Sequence, residues 1–249
     1  MSELGTMKIA AIIQARMGST RLPGKVLLDL HGASTLARVV RRLSRARQIN
    51  EVIVATSTLS GDDAVAEECG RLGVPCFRGD EQDVLGRFYH AALSVRADVV
   101  VRITADCPLI DPEISGRVVD AFLEQRPDYA SNVLVRRYPR GLDTEVFSFA
   151  TLERMYREAT EPYQRIHVTP FIYQNPQLFR MVPVTGEQDF SHYRWTLDTA
   201  DDLAMIRAVY EQFGGKDDFS WTDVIHLLQR HPHIAELNRE VAQKELHEG

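Results

Sequence analysis

A short apolar run, Ala10 to Ile13, breaks abruptly into Gln14-Ala15-Arg16-Met17-Gly18-Ser19-Thr20-Arg21-Leu22-Pro23-Gly24-Lys25, a loop with three cations, two hydroxyls and two glycines. The run reads as a buried strand, and glycines at its end let backbone approach a ligand closely. Arg16, Arg21 and Lys25 supply charge opposite phosphate oxygens, the arginines through a planar fork and the lysine as a point charge. A Walker P-loop needs four residues between its glycine and its Gly-Lys pair, followed by Ser or Thr. Here five residues separate Gly18 from Gly24, and Val26 follows Lys25, so that motif is excluded. No G-x-G-x-x-G occurs, which excludes the dinucleotide fingerprint as well. What remains is a triphosphate-holding loop or a surface loop of solvated cations.

Extended and helical signals alternate after it. Ser34-Thr35 caps a helix in which Leu36, Val39, Val40 and Leu43 recur at helical spacing. Glu51 to Thr56 is a strand, and Ser60 with Asp63 resembles a capping box opening a helix that ends near Gly70 or Gly73. Val74 to Phe77 is a second short apolar run. Glu81 to Arg96 has helical periodicity, and Asp98 to Ile103 is again a strand. This order predicts right-handed crossovers and an α/β fold: a mostly parallel sheet with helices on both faces. Ligands of such sheets sit beyond the carboxyl ends of the strands, where the cationic loop, Thr56-Ser57 and Asp106 all fall.

With 249 residues and 44% apolar content, the chain has material for one large domain, 1–249. We divide it into a nucleotide-binding half at about 7–125, an acceptor-binding half at about 126–219 and C-terminal helices at about 220–249. No apolar run approaches the roughly 18 residues of a membrane span, and the N-terminus lacks a basic and apolar signal segment, so the expected location is the cytoplasm. Cys69, Cys76 and Cys107 form no C-x-x-C pair and leave an odd count, which points to reduced thiols and away from zinc. The net charge of −6 argues against a nucleic-acid surface, although residues 1–50 carry nine Lys or Arg against two acids. Arg38, Arg41, Arg42, Arg45 and Arg47 read as the solvated face of one helix.

Among the acids, Asp106 follows a strand end and Cys107-Pro108 turns the chain behind it. Asp198 follows Tyr193-Arg194-Trp195-Thr196-Leu197. Two strand-end aspartates suit a hard divalent cation such as magnesium; separately, Asp106 suits a turn and Asp198 an N-cap for the helix carrying Leu203, Ile206 and Val209. Candidate acceptor contacts are Asn132, Asp143 and Glu145, the last two placed two apart on one strand face, and His167 near a helix end. Trp195 and Phe179 read as core. Ser220 with Asp223 opens a C-terminal helix, and Pro232 precedes a polar last one running to Gly249.

Five motifs carry a resemblance. They are Ile13-Gln14-Ala15-Arg16 with Ser19 to Lys25, Val54-Ala55-Thr56-Ser57, Phe77-Arg78-Gly79 with Asp83-Val84-Leu85, Arg102 to Ile110, and Leu197-Asp198-Thr199. In order and spacing they resemble the spore-coat polysaccharide biosynthesis protein F group of cytidylyltransferase-like proteins, relatives of the CMP-Kdo and CMP-acylneuraminate synthetases. The resemblance covers most of the chain and weakens in its second half. It implies a three-layer α/β/α fold of the nucleotide-diphospho-sugar transferase type. It also implies a magnesium-dependent transfer of CMP from CTP to a sugar acid for surface polysaccharide assembly, and a homodimer as the assembly. By resemblance, Arg16 and Lys25 face the phosphates with Ala15, Ser19 and Arg21, and Thr56, Ser57, Arg78 and Thr104 line the base and ribose. Asp106 and Asp198 hold the metal, as in Kdo-type enzymes, and Asp106 orients the acceptor. Thr104 stands where those enzymes commonly carry Gln. Such chemistry works by positioning and charge neutralisation, so no Ser or Cys nucleophile is expected. The rival readings are a glycosyltransferase of the same fold, against which the absence of a D-x-D motif counts, and a non-catalytic nucleotide-binding module.

Overall fold

The computed structural model describes residues 7–243. Its centre is the apolar run before the cationic loop. β1 (Ile9–Gln14) lies between β2 (Glu51–Ser57) and β4 (Val99–Thr104), parallel to both, with Gln14 in register with Ala55 and with Thr104. Ala10 to Ile13 have no exposed surface. Residues buried on both faces explain why this run is continuously apolar instead of alternating. β3 (Cys76–Gly79) adds in parallel beside β2. Past β4 the sense changes: β6 (Glu145–Ser148) is antiparallel to β4 and to β5 (Tyr129–Ser131), and β7 (Met181–Pro183) is parallel to β5. The seven strands run in the order β3-β2-β1-β4-β6-β5-β7.

Helices cover both faces. α1 (Thr35–Leu43), α2 (Asp63–Leu72) and α4 (Pro112–Gln125) bury Leu36, Val39, Leu43, Val65, Val118 and Phe122 against one side. α3 (Val84–Ser94), α5 (Phe149–Glu158) and α7 (Pro170–Tyr173) bury Leu85, Phe88, Leu152, Met155 and Ile172 against the other. Each such side chain contributes roughly 1.5–3 kcal/mol when fully buried. The short α6 (Pro162–His167) reaches over the end of the sheet. This is the three-layer α/β arrangement that the alternation predicts. A third apolar cluster joins Trp195, Leu197 and Tyr210 to α8 (Ala200–Gln212), α9 (Trp221–Arg230) and α10 (Pro232–Glu236). Trp195 and Phe179 are core, as expected. No helix among the described residues is long and apolar enough to cross a membrane.

Several local expectations are corrected. Ser60 does not open α2 through a capping box; Ser60–Asp62 forms a 3-10 turn, and the Asp62 carboxylate is turned away to Met17 N at 2.6 Å and to the Ser57 hydroxyl. α3 begins at Val84 under an Asp83 cap, not at Glu81. The Ser220–Asp223 capping box of α9 is present, but the segment after Pro232 is helical only to Glu236, and its last residues, 244–249, lie outside the described residues.

The larger correction concerns α1. Arg38 and Arg42 are 2% and 0% exposed, so two of the five arginines assigned to a solvated face are core residues. Arg38 donates to the carbonyls of Leu30 and Gly215 and pairs with Asp217 at 2.9 Å. Arg42 donates to the carbonyls of Ile110, Asp217 and Phe219 and lies over the Phe219 ring. The planar guanidinium satisfies three carbonyls at once through its rigid fork of donors. Together the two arginines tie α1 to the segment between α8 and α9. We expect Arg42→Ala to cost about 3 kcal/mol, because three buried carbonyls lose their donors. Arg47→Ala, at an exposed position, should cost less than about 0.5 kcal/mol; urea denaturation of both variants checks the contrast.

Candidate active site

The loop after β1 is folded, not splayed. Met17 O accepts from Ser19 N at 2.9 Å and Gly24 N at 3.0 Å, so residues 17–24 close on themselves. Gly24 sits at φ 69, a conformation that side chains rarely adopt, and this turn lets Lys25 start a 3-10 turn and point back to the sheet. A cleft of about 300 Å³ opens between this loop, the carboxyl ends of β1 and β4, the start of α3 and the end of α6.

Lys25 is the centre of the charged side of that cleft. Its Nζ lies 2.6 Å from Asp106 Oδ2 and 2.7 Å from Asp198 Oδ1. One backbone bond explains how residues so distant in sequence meet: Leu197 N donates to Asp106 O at 2.7 Å, setting the segment before Asp198 against the turn after β4. Asp198 also takes Arg21 Nη2 at 3.1 Å and Arg194 Nη2 at 2.6 Å. It does not cap α8. Thr199 does, in a capping box with fully buried Asp202, which also holds Arg194 and accepts from Asp198 N.

Burial alone would lower the Lys25 pKa, but the attraction of Asp106 and Asp198 outweighs it and holds the ammonium above its ordinary range. Burial likewise works against Asp106, yet Lys25, with help from Thr104 and Cys107, holds this carboxyl below the usual carboxylate range. The Cys107 thiol beside it is pushed up by burial and by Asp106, so it stays protonated and is no nucleophile.

Of the sequence-predicted nucleotide and metal residues, Ala15, Arg16, Ser19, Arg21, Lys25, Thr104, Asp106 and Asp198 line the cleft. Thr56, Ser57 and Arg78 do not. Thr56 and Ser57 are fully buried, and Ser57 binds Asp62, the residue that braces Met17. Arg78 turns outward to Asp63 at 2.7 Å and to the Leu59 carbonyl. Strand-end position is shared by both groups, but side-chain direction separates them.

Of the acceptor candidates only His167 lines the cleft. It ends α6 just before Val168, whose φ 73 and ψ −59, with Thr169 N donating to His167 O at 2.9 Å, make a γ-turn of the rare, strained hand. Asn132 is buried and ties the chain to Leu142 O and Thr144 N. Asp143 precedes β6 and is held by both Nη atoms of Arg136, so it does not share a strand face with Glu145. Glu145 is 5% exposed and neutralised by Arg102.

Sequence reasoning missed Arg87. It lines the cleft from α3 and is 2% exposed, yet its Nε and Nη1 have no partner. Gly79 makes room for it, since a Cβ there would lie 3.0 Å from Arg87 Cγ. Asp62, Asp80 and Glu81 lie near enough to oppose the charge of Arg87, but none hydrogen-bonds to those two nitrogens. Its helical spacing with Val84 and Ala91 made it look like any helix cation.

A profile of cytidylyltransferases matches residues 10–216. The chain belongs to the cytidylyltransferase family. This cytidylyltransferase is 39% identical over 246 residues to an uncharacterised protein of Methanocaldococcus jannaschii, covering 97% of this chain and 99% of that one. It is 36% identical over 234 residues to the spore coat polysaccharide biosynthesis protein SpsF of Bacillus subtilis, covering 91% and 96% of the two chains. The solved structure of a cytidylyltransferase from Leptospira borgpetersenii serovar Hardjo-bovis superposes with a TM-score of 0.89 at 34% identity, over 96% of this chain and 100% of that one. A CMP:2-keto-3-deoxy-manno-octonic acid synthetase complexed with CTP shares the fold, with a TM-score of 0.63 at 21% identity over 83% and 99%. The family and fold found are those that the sequence motifs imply.

The charge arrangement of the cytidylyltransferase cleft makes a pH prediction. Asp106, held low, contributes stability above its unfolded pKa of about 3.9 and loses it as pH falls through its lower folded value. Lys25, held high, contributes below about 10.4 and loses it as pH rises through its higher folded value. Between pH 5 and 8 the native Lys25–Asp106 pair is therefore insensitive to pH. Lys25→Met leaves Asp106 and Asp198 facing one another, at a cost of about 2–4 kcal/mol at neutral pH. Thermal denaturation should show that variant recovering stability on going from pH 7 to pH 5, with no such recovery in the native protein.

Proposed function

We propose that this cytidylyltransferase transfers CMP from CTP to a sugar acid or similar acceptor, releasing pyrophosphate, in the assembly of a surface polysaccharide or glycoconjugate. The observation that carries this is the Lys25 ammonium set between Asp106 and Asp198 at the foot of a cationic loop. Arg16, Ser19, Arg21 and Lys25 hold the triphosphate, and the unpartnered Arg87 adds a buried donor fork on the side facing Arg16. The sugar-acid acceptor and the polysaccharide role are supported by the names of the SpsF relative and the Kdo-acid synthetase.

Asp106 and Asp198 fit magnesium: two hard carboxylates already converge on one cationic point, although no group of three or more His, Cys, Asp or Glu among the described residues makes a metal site alone. Phosphate oxygens and water complete such a set. Magnesium held there supplies neutralisation of charge building on the α-phosphate. The acceptor oxygen attacks the α-phosphorus and gives its proton to water, and the bond from the α-phosphorus to the bridging oxygen breaks to release pyrophosphate. Lys25 and the loop arginines oppose the charge on that leaving group, and His167, which also lines the cleft, is the contact for the acceptor. The cysteines are all free thiols, which fits a cytoplasmic enzyme.

The test is pyrophosphate release with magnesium, each of CTP, UTP, ATP and GTP, and a panel of sugar acids. We expect turnover with CTP and at least one sugar acid. Asp106→Asn should lower kcat by about 10²–10³-fold with CTP still bound, the loss typical of removing one transition-state electrostatic contact. Turnover unaffected by Asp106→Asn would refute the assignment.

A further inference from the structure

Gln14 is the last residue of β1, lines the cleft, and lies in register with Thr104. Its Oε1 accepts from Arg102 Nη2 at 3.0 Å. A guanidinium donates at every nitrogen and keeps its charge in proteins, so the amide cannot flip without setting its NH2 against another donor. An amide orientation that is usually ambiguous is here fixed by its partner.

Arg102 is fixed in turn. It stands opposite Glu145 in the antiparallel register of β4 and β6 and is ion-paired with it. Glu145 also accepts from the Tyr129 hydroxyl and from Thr169 Oγ1 at 2.8 Å. Burial works against the Arg102 charge, but Glu145 more than restores it. Burial and Glu145 push the Tyr129 phenol well above its ordinary range, so it remains a donor. The whole buried network thus ends on one group at the cleft wall, the Gln14 amide. Among the described residues nothing accepts from its Nε2, so it offers a ligand two N–H donors while Arg102 holds its oxygen.

The cleft lining is chemically mixed. Arg16, Arg21 and Lys25 come from the loop and Arg87 from α3, whereas Gln14, Ala15 and Thr104 near the strand ends, with Val84, form an uncharged stretch of wall. A triphosphate on the cations leaves its base for the wall. We propose that Gln14 reads the nucleobase as an obligate donor, and that Arg102, clamped by Glu145, is the positioning residue that makes it so. Set against N3, that donor meets an acceptor in cytosine, whereas uracil carries a hydrogen there and would set donor against donor. The arrangement therefore selects CTP over UTP. The inference rests on the nucleotidyl-transfer reading above and adds the source of its base preference.

The experiment is calorimetric binding of CTP and UTP, with magnesium, to the full chain and two variants. The native protein should prefer CTP by at least about tenfold, the effect of one hydrogen bond made in one complex and opposed in the other. Gln14→Glu keeps an acceptor for Arg102 and removes both donors. Its CTP affinity should fall about tenfold to a hundredfold while UTP binding holds or improves. Arg102→Met with Glu145→Leu removes both buried charges together, so neither is left unpaired. The freed amide can then rotate, and the CTP preference should shrink while triphosphate affinity is kept. If melting shows this double variant unfolded, Gln14→Glu decides alone. A native protein that does not discriminate, or a Gln14→Glu protein with its preference intact, overturns the inference and leaves nucleotidyl transfer standing. Native protein that binds no triphosphate overturns both.

Discussion

One ammonium group holds the charged side of the cleft together. Asp106 lies in the turn after β4, Asp198 precedes α8, and Lys25 bridges the two in a partly buried place. The geometry places Nζ within 2.7 Å of both. Lys25 reaches that point because Gly24 turns the loop back on Met17, and Met17 is in turn held by Asp62. The cationic loop, the acid after β4 and the acid before α8 are therefore one electrostatic unit.

The second organising constraint lies behind the site. Arg38 and Arg42 of α1 are buried against the carbonyls between α8 and α9, with Asp217 as counter-charge. This ties the Trp195 cluster to the parallel sheet, and Asp198 rides on that cluster. The position of the second acid thus depends on contacts made on the opposite side of α1 from solvent. Buried Glu145 plays a comparable part near β4, where it fixes Arg102 and, through it, the wall of the cleft.

Much of the fold was legible in the chain itself. Continuous apolar runs such as Ala10 to Ile13 and Val99 to Val101 mark strands buried on both faces, and the helical spacing of Leu36, Val39 and Leu43 marks α1. The loop residues Arg16, Arg21 and Lys25 were legible because glycines and Pro23 rule out a helix face for them. Direction was not legible. Thr56 and Ser57 lie at the same end of the sheet as Gln14 but turn into the core, and Asn132, Asp143 and Glu145 look like ligand contacts until Leu142, Arg136 and Arg102 claim them. The arginines of α1 failed for a related reason: periodicity says which face a residue is on, but only tertiary packing says that a second layer of chain covers that face. Arg87 went unnoticed because its burial and its two nitrogens without hydrogen-bond partners are properties of its surroundings.

The central claim is that Asp106 and Asp198 form a cation site that Lys25 occupies until nucleotide and metal arrive together. Binding of manganese, followed by its electron paramagnetic resonance signal with and without CTP, tests this most directly. The account predicts weak binding to the protein alone and at least about tenfold tighter binding with CTP, since phosphate oxygens supply the ligands that two carboxylates lack; the gain should be lost in Asp198→Asn. Manganese binding that ignores CTP, or that survives loss of either aspartate unchanged, would contradict it.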